Sequence, residues 1–179
     1  YYENTGNNGS PSFTKREEEE NPFYGLEITQ TMLAPRFADI SGTGRYDLIV
    51  GTKDKDKILV YHNIVDGKNQ KYTEQTTSST NPFYGVFENA KSSPQFYDYN
   101  NDGNVDLLLG LELGKIRLYL NNGTAFHNGG LLQDSNGIDI DVGGRATLQF
   151  VDLNGDKKPE LIVADDNRVN HQCSKENDP

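Results

Sequence analysis

FADISGTGRYDLIVG (residues 37–51), FYDYNNDGNVDLLLG (residues 96–110) and FVDLNGDKKPELIVA (residues 150–164) are three copies of one phrase. Each runs aromatic, one residue, Asp, then oxygen-bearing side chains at alternate positions, an acid, and an apolar run. The leading aspartates are Asp39, Asp98 and Asp152, so the steps are 98 − 39 = 59 and 152 − 98 = 54 residues. Self-similarity at a near-fixed period signals a repeat architecture.

The repeat extends outward from this phrase. NPFYG opens at Asn21 and again at Asn81, and NGIDIDVGG from Asn136 is a weaker counterpart. Downstream stand KILVYHN from Lys57 and KIRLYLNNG from Lys115, followed by KYTEQ from Lys71 and TAFHN from Thr124. One unit therefore reads as four short β-strands: A around Phe37, Phe96 or Phe150; B over 47–51, 106–110 or 160–164; then C and D. Strong β-formers fill these segments, and Gly, Asn, Asp and Pro punctuate the gaps. Helical i, i+3, i+4 periodicity is absent from the sequence.

The ends fit the same register. YYENTG from Tyr1 reads as strand C with its exit, and PSFTKR from Pro11 as strand D. The third unit has A and B and then runs into VNHQCSKENDP. The expected organisation is one segment over 1–179, with units at about 21–80, 81–135 and 136–170. Residues 1–16 would complete the last blade or a neighbouring one. The acidic run Glu17–Glu20 reads as a solvated loop. The chain begins at Tyr1 rather than Met, as expected of a processed or excised segment.

Composition narrows the partners. The formal net charge is −10, with 17 basic and 27 acidic residues. Such a surface does not suit nucleic acid or anionic lipid, which need clustered Lys and Arg. The apolar fraction is 34% and mean hydropathy −0.76, and no run approaches the ~20 apolar residues of a membrane-spanning helix. Cys173 is the only cysteine, so neither an intrachain disulfide nor a cysteine zinc site is expected. His62, His127 and His171 are scattered without zinc spacing. No G-x-S-x-G and no phosphate-cradling Gly loop occurs.

The acids that recur are a candidate cation site. In the second copy Asp98, Asn100, Asp102 and Asp106 stand at positions 1, 3, 5 and 9, with Gly103 at 6. Alternate side chains of a tight loop can turn to one centre, Gly103 can take positive φ, and the carbonyl of Asn104 at position 7 can join them. Hard oxygen donors in a flexible loop suit Ca²⁺, which takes 6–8 oxygens, better than Mg²⁺. An EF-hand would require Glu at position 12, where Leu109 stands inside an apolar run. The third copy offers Asp152, Asn154, Asp156, Lys158 through its carbonyl, and Glu160, with Lys157 in place of the glycine. The first offers Asp39, Ser41, Thr43 and Asp47, with only two carboxylates, and is expected to bind least. The competing reading is that these are Asx turns whose side chains cap backbone amides.

These residues resemble the FG-GAP/VCBS repeat of integrin α-subunit propellers and many secreted or surface proteins. The resemblance rests on the PRFADI and PQFYDY lead-ins, the stretch from Asp98 to Gly110, and the LYLNNG strand. It implies a β-propeller, with about seven blades in complete members, calcium in the blade loops, and an extracellular or surface setting. With about three units present, the segment would belong to a larger propeller or close through its terminal strands. The function implied is non-enzymatic: a calcium-binding protein-interaction or adhesion module. A carbohydrate-binding propeller is the alternative, and an accessory domain of a polysaccharide-degrading enzyme a more distant one. Asn8 and Asn122 head N-glycosylation sequons. Tyr1, Tyr2, Tyr61, Tyr84, Tyr97 and Tyr119 could stack on sugars, although strand positions favour core packing.

Overall fold

A computed structural model describes residues 1–53, 58–66, 69–84 and 93–166. Cys173 and His171 lie outside these residues. Among the described residues, twelve β-strands and one three-residue 3-10 turn (Glu18–Glu20) make up the regular structure. The strands are β1 (Tyr2–Asn4), β2 (Phe13–Lys15), β3 (Ala34–Ala38), β4 (Asp47–Gly51), β5 (Ile58–Asp66) and β6 (Asn69–Glu74). They continue with β7 (Ser93–Tyr97), β8 (Asp106–Gly110), β9 (Ile116–Asn121), β10 (Phe126–Leu131), β11 (Thr147–Val151) and β12 (Glu160–Ala164). Over the described residues the chain is all-β and forms a propeller segment that is not closed.

Two sheets are complete four-stranded antiparallel meanders, β3-β4-β5-β6 and β7-β8-β9-β10. They are blades 1 and 2, in the A–B–C–D order the sequence indicates. The third unit contributes β11 and β12, its A and B strands. At the other end β1 and β2 pair only with each other among the described residues, with Tyr2 opposite Lys15 and Asn4 opposite Phe13. The terminal strands that could have completed the third blade thus stand apart from it. Tyr1 instead meets Phe23 edge-on at 6.0 Å, placing the hairpin in front of blade 1.

The B strands explain the apolar runs. Blades stack face to face, so a B strand has a neighbour on both faces and needs no polar side. Ile49, Leu107, Leu108 and Leu109 are wholly buried. Alternate residues serve different layers. Ile49 and Val60 of blade 1 pack with Leu107 and Leu109 of blade 2, and Phe83 fills the layer between them. Leu108 and Leu118 on the opposite face of blade 2 pack with Leu148, and Leu161 and Val163 extend that layer. A third layer joins Leu48, Val50, Tyr61 and Tyr72 on the leading face of blade 1, covered by Phe23, Leu26 and Ile28. Blades 2 and 3 approach so closely that a Cβ on Gly110 would lie 2.1 Å from the Ala146 carbonyl oxygen. Only glycine can end that strand.

Candidate metal centre

The three A–B loops share one backbone. Gly42 and Gly44, Asn101 and Gly103, and Gly155 and Lys157 stand at positions 4 and 6, and all have positive φ, from 58° to 89°. Two left-handed residues double the chain back over its leading aspartate. That aspartate ties the turn. Asp39 accepts from the Thr43 and Gly44 amides at 3.0 and 2.7 Å. Asp98 accepts from those of Asp102 and Gly103, both at 3.0 Å. Asp152 accepts from Gly155 and Lys157, at 2.7 and 2.9 Å. Lysine at position 6 therefore does not shift the third loop. It takes the left-handed conformation itself, with φ 69°.

That strain is measurable. A left-handed non-glycine residue costs about 1–2 kcal/mol, and the added freedom of an unfolded glycine offsets part of the relief. Lys157→Gly is expected to stabilise the fold by about 0.5–1 kcal/mol, seen as a higher melting temperature. A lowered melting temperature would show that the lysine side chain contributes more than its backbone costs.

The even-spaced residues gather in the second loop. Asp102 Oδ1 accepts from the Asn104 amide at 2.8 Å and from its side-chain Nδ2 at 2.9 Å, while Asn100 Nδ2 donates to Asp102 Oδ2 at 2.9 Å. The Asn104 amide, then Asn100, hold the exposed Asp102 carboxyl below its ordinary pKa. The third loop repeats the pattern: Lys158 donates its amide to Asp156 at 2.8 Å, and Asn154 Nδ2 reaches Asp156 and Glu160, both at 3.3 Å. In the first loop the Ser41 and Thr43 hydroxyls meet at 3.2 Å. Among the described residues, no three acidic, His or Cys side chains converge as a metal cluster. By donor type, however, the second loop suits a hard cation, and a carboxylate oxygen that accepts one amide keeps a second lone pair.

The position-9 acid has a further duty that spacing did not reveal. Asp106 is wholly buried, and its oxygens accept from the Tyr99 amide at 2.8 Å and the Asn121 amide at 2.7 Å. Asn121 answers by donating Nδ2 to the Val105 carbonyl at 3.1 Å. Blade 1 repeats this clamp. Asp47 accepts from Ser41 and Asn63 at 3.1 and 2.9 Å, and Asn63 donates to the Tyr46 carbonyl at 3.2 Å. His62 brings Nδ1 to within 3.2 Å of the same Asp47 carboxylate. The clamp joins the acidic loop, the start of strand B and the end of strand C. The asparagine that closes KILVYHN and recurs in KIRLYLN was its only trace in sequence. Glu160 shows half of it, accepting from the Leu153 amide at 2.8 Å.

The remaining candidates lie elsewhere. Asn8 is exposed in the hairpin turn between β1 and β2. Asn122 is tied into its turn, with Oδ1 accepting from the Thr124 amide and hydroxyl and Nδ2 3.0 Å from His127 Nε2. Tyr61 and Tyr119 belong to the core and Tyr97 stacks on Phe150 at 4.5 Å, whereas Tyr1, Tyr2 and Tyr84 are exposed.

The family model for the FG-GAP-like repeat matches residues 39–109 and again 98–163. Neither the curated proteins nor the solved structures yield a match.

Proposed function

Because this chain belongs to the FG-GAP-like repeat family, we propose that it is a calcium-stabilised protein-interaction module, non-enzymatic and displayed in a secreted or cell-surface protein. The observation that carries this reading is the shared loop conformation, with oxygen side chains at alternate positions in three successive units. Asp98, Asn100, Asp102, Asp106 and the Asn104 carbonyl would hold the ion in the second loop. Asp152, Asn154, Asp156, Glu160 and the Lys158 carbonyl would serve in the third. Asp39, Ser41, Thr43 and Asp47 offer fewer charges and bind least. When bound, Ca²⁺ supplies positive charge that draws the loop carboxylates together. The chain's own groups hold the loop open to it, through the position-1 aspartate on the turn amides and the position-9 acid on strands B and C.

Calcium that binds only the folded state raises stability by RT ln(1 + [Ca²⁺]/Kd), about 2.7 kcal/mol at a hundredfold excess over Kd. Chelation should lower the melting temperature. Asp102→Ala is expected to remove most of the calcium-dependent part, and Thr43→Ala very little of it. The pH dependence has a definite sign. Asp102 has a depressed folded pKa, so its contribution is present above the ordinary carboxylate range and is lost as pH falls through the depressed value. Acid should therefore mimic chelation. Calorimetry that detects no calcium uptake, or that finds Thr43→Ala the more damaging change, would make these loops plain Asx turns.

A further inference from the structure

The three A strands begin around one cavity. β3 lies beside β7 and β7 beside β11, and their first residues, Ala34, Ser93 and Thr147, are equivalent by the repeat. All three line a cavity of about 400 Å³, within the usual range for a small-molecule site. No residue of an acidic loop lines it, so the cavity stands apart from the candidate metal centre. Its wall is well fixed. Gly110 lets Ala146 sit against blade 2, and the Ala146 amide donates to the Leu111 carbonyl at 3.1 Å. Arg145 is tied to Asp166, with Nε and Nη2 donating to Oδ2 and the Arg145 amide donating to Oδ1 at 3.1 Å. Arg145 Nη1 also reaches Met32 Sδ at 3.9 Å, which joins the lead-ins of blades 3 and 1.

Within this wall several polar groups are left over. Ser93 is 9% exposed, and its hydroxyl makes no hydrogen bond among the described residues. The Thr147 hydroxyl is equally free there. Arg36 is half-buried, with Nε donating to Gln95 Oε1 at 3.2 Å and Nη1 to the Pro35 carbonyl at 2.9 Å. Its Nη2 has no acceptor, and no carboxylate among the described residues pairs with the guanidinium. The Asp165 carboxylate, also half-buried on this wall, meets neither a donor nor a cation among them. Buried polar groups are nearly always satisfied, by protein, water or a bound molecule. The Arg145–Asp166 pair cancels itself. The cavity therefore presents an unpaired cation, an unpaired anion and two free hydroxyls, beside the apolar side chains of Leu33 and Ala146.

We propose that this cavity binds a free α-amino acid with a small apolar side chain. Arg36 takes the carboxylate through Nη2, Asp165 takes the ammonium, and the Ser93 and Thr147 hydroxyls complete the polar contacts. Leu33 and Ala146 receive the side chain. The charges decide between ligand classes. A simple carboxylate would suit Arg36 but meet Asp165, and a simple amine would suit Asp165 but meet Arg36. A neutral sugar would leave both charges desolvated without a partner. It would also find no aromatic ring to stack on, since none lines the cavity among the described residues. A zwitterion answers both charges with charge-assisted hydrogen bonds, the strongest kind.

Titration calorimetry on the full chain tests this with L-leucine and its two halves, isocaproate, which lacks the ammonium, and isoamylamine, which lacks the carboxylate. Leucine should bind, and each half should bind at least about tenfold more weakly, the loss expected for one charged contact. Arg36→Gln should lower leucine to the level of isoamylamine and leave isoamylamine itself no weaker. Asp165→Asn should do the same with respect to isocaproate. Because Asp165 has no partner among the described residues, its substitution leaves the fold intact even where Arg36→Gln, which loses the bond to Gln95, does not. Circular dichroism checks that the β signal persists. No heat with leucine, isocaproate that binds as tightly as leucine, or a folded Asp165→Asn chain with undiminished leucine affinity would overturn the proposal.

Discussion

Asp106→Ala is expected to destabilise the fold by on the order of 4 kcal/mol, a large share of the roughly 5–15 kcal/mol that holds a domain together. The side chain is wholly buried and accepts from two backbone amides, those of Tyr99 and Asn121. Alanine leaves both donors without an acceptor, and each orphaned buried donor costs about 1–3 kcal/mol. Asp106→Asn keeps the shape but replaces one acceptor with a donor, so it should rescue only part of the loss. Asp98→Ala is the control. Its amide partners, Asp102 and Gly103, lie in an exposed loop where water can replace the carboxylate. Urea denaturation in the presence of chelator separates the two. Equal midpoints for the Asp98 and Asp106 variants would mean that the clamp between strands B and C contributes nothing beyond the loop.

Phe83→Ala should be of similar size, about 3–5 kcal/mol, the usual cost of emptying a buried aromatic site. Phe83 is 1% exposed and lies between blades 1 and 2, with ring centroids 4.7 Å from Phe126 and 6.3 Å from Phe96. Its place is fixed by Asn81, whose side chain accepts the Phe83 amide at 2.8 Å and donates to the Ile58 carbonyl at 3.2 Å. Phe23 occupies the same position in NPFYG of the first unit and stacks on Tyr72 at 4.8 Å, but it is only partly buried. Phe23→Ala should therefore cost visibly less. If thermal melts rank Phe23→Ala as the more damaging change, the layer between blades 1 and 2 is not the principal core.

The sequence was most legible where period and chemistry coincide. The A and B strands lie where the repeated phrase places them, because an apolar run bounded by Asp and Gly has few other ways to be buried. The left-handed turns were half legible. Glycine at position 6 marks one of them in two copies, whereas position 4 is filled by Gly42, Asn101 and Gly155 and carries no ligand-like spacing of its own. The buried clamp left one trace, the recurring asparagine at the end of strand C (Asn63, Asn121). An acid at position 9 has the spacing of an ion ligand, and only the fold shows Asp106 facing an amide 15 residues later in the chain. Local spacing records which side chains recur; it does not record which face of a strand they end on. The terminal strands illustrate the same limit, since β1 and β2 formed where expected while their neighbours depended on what stands beside them.

The apolar layers have a thermodynamic consequence. Blade 1 meets blade 2 through one cluster and blade 2 meets blade 3 through another, so no single core spans the described residues. Stability in such an arrangement approximates a sum of nearest-neighbour terms, like spins along a line. Substitutions in different layers should then add, those within one layer should couple, and amide exchange should report opening that begins at the outermost strands and travels inward one blade at a time.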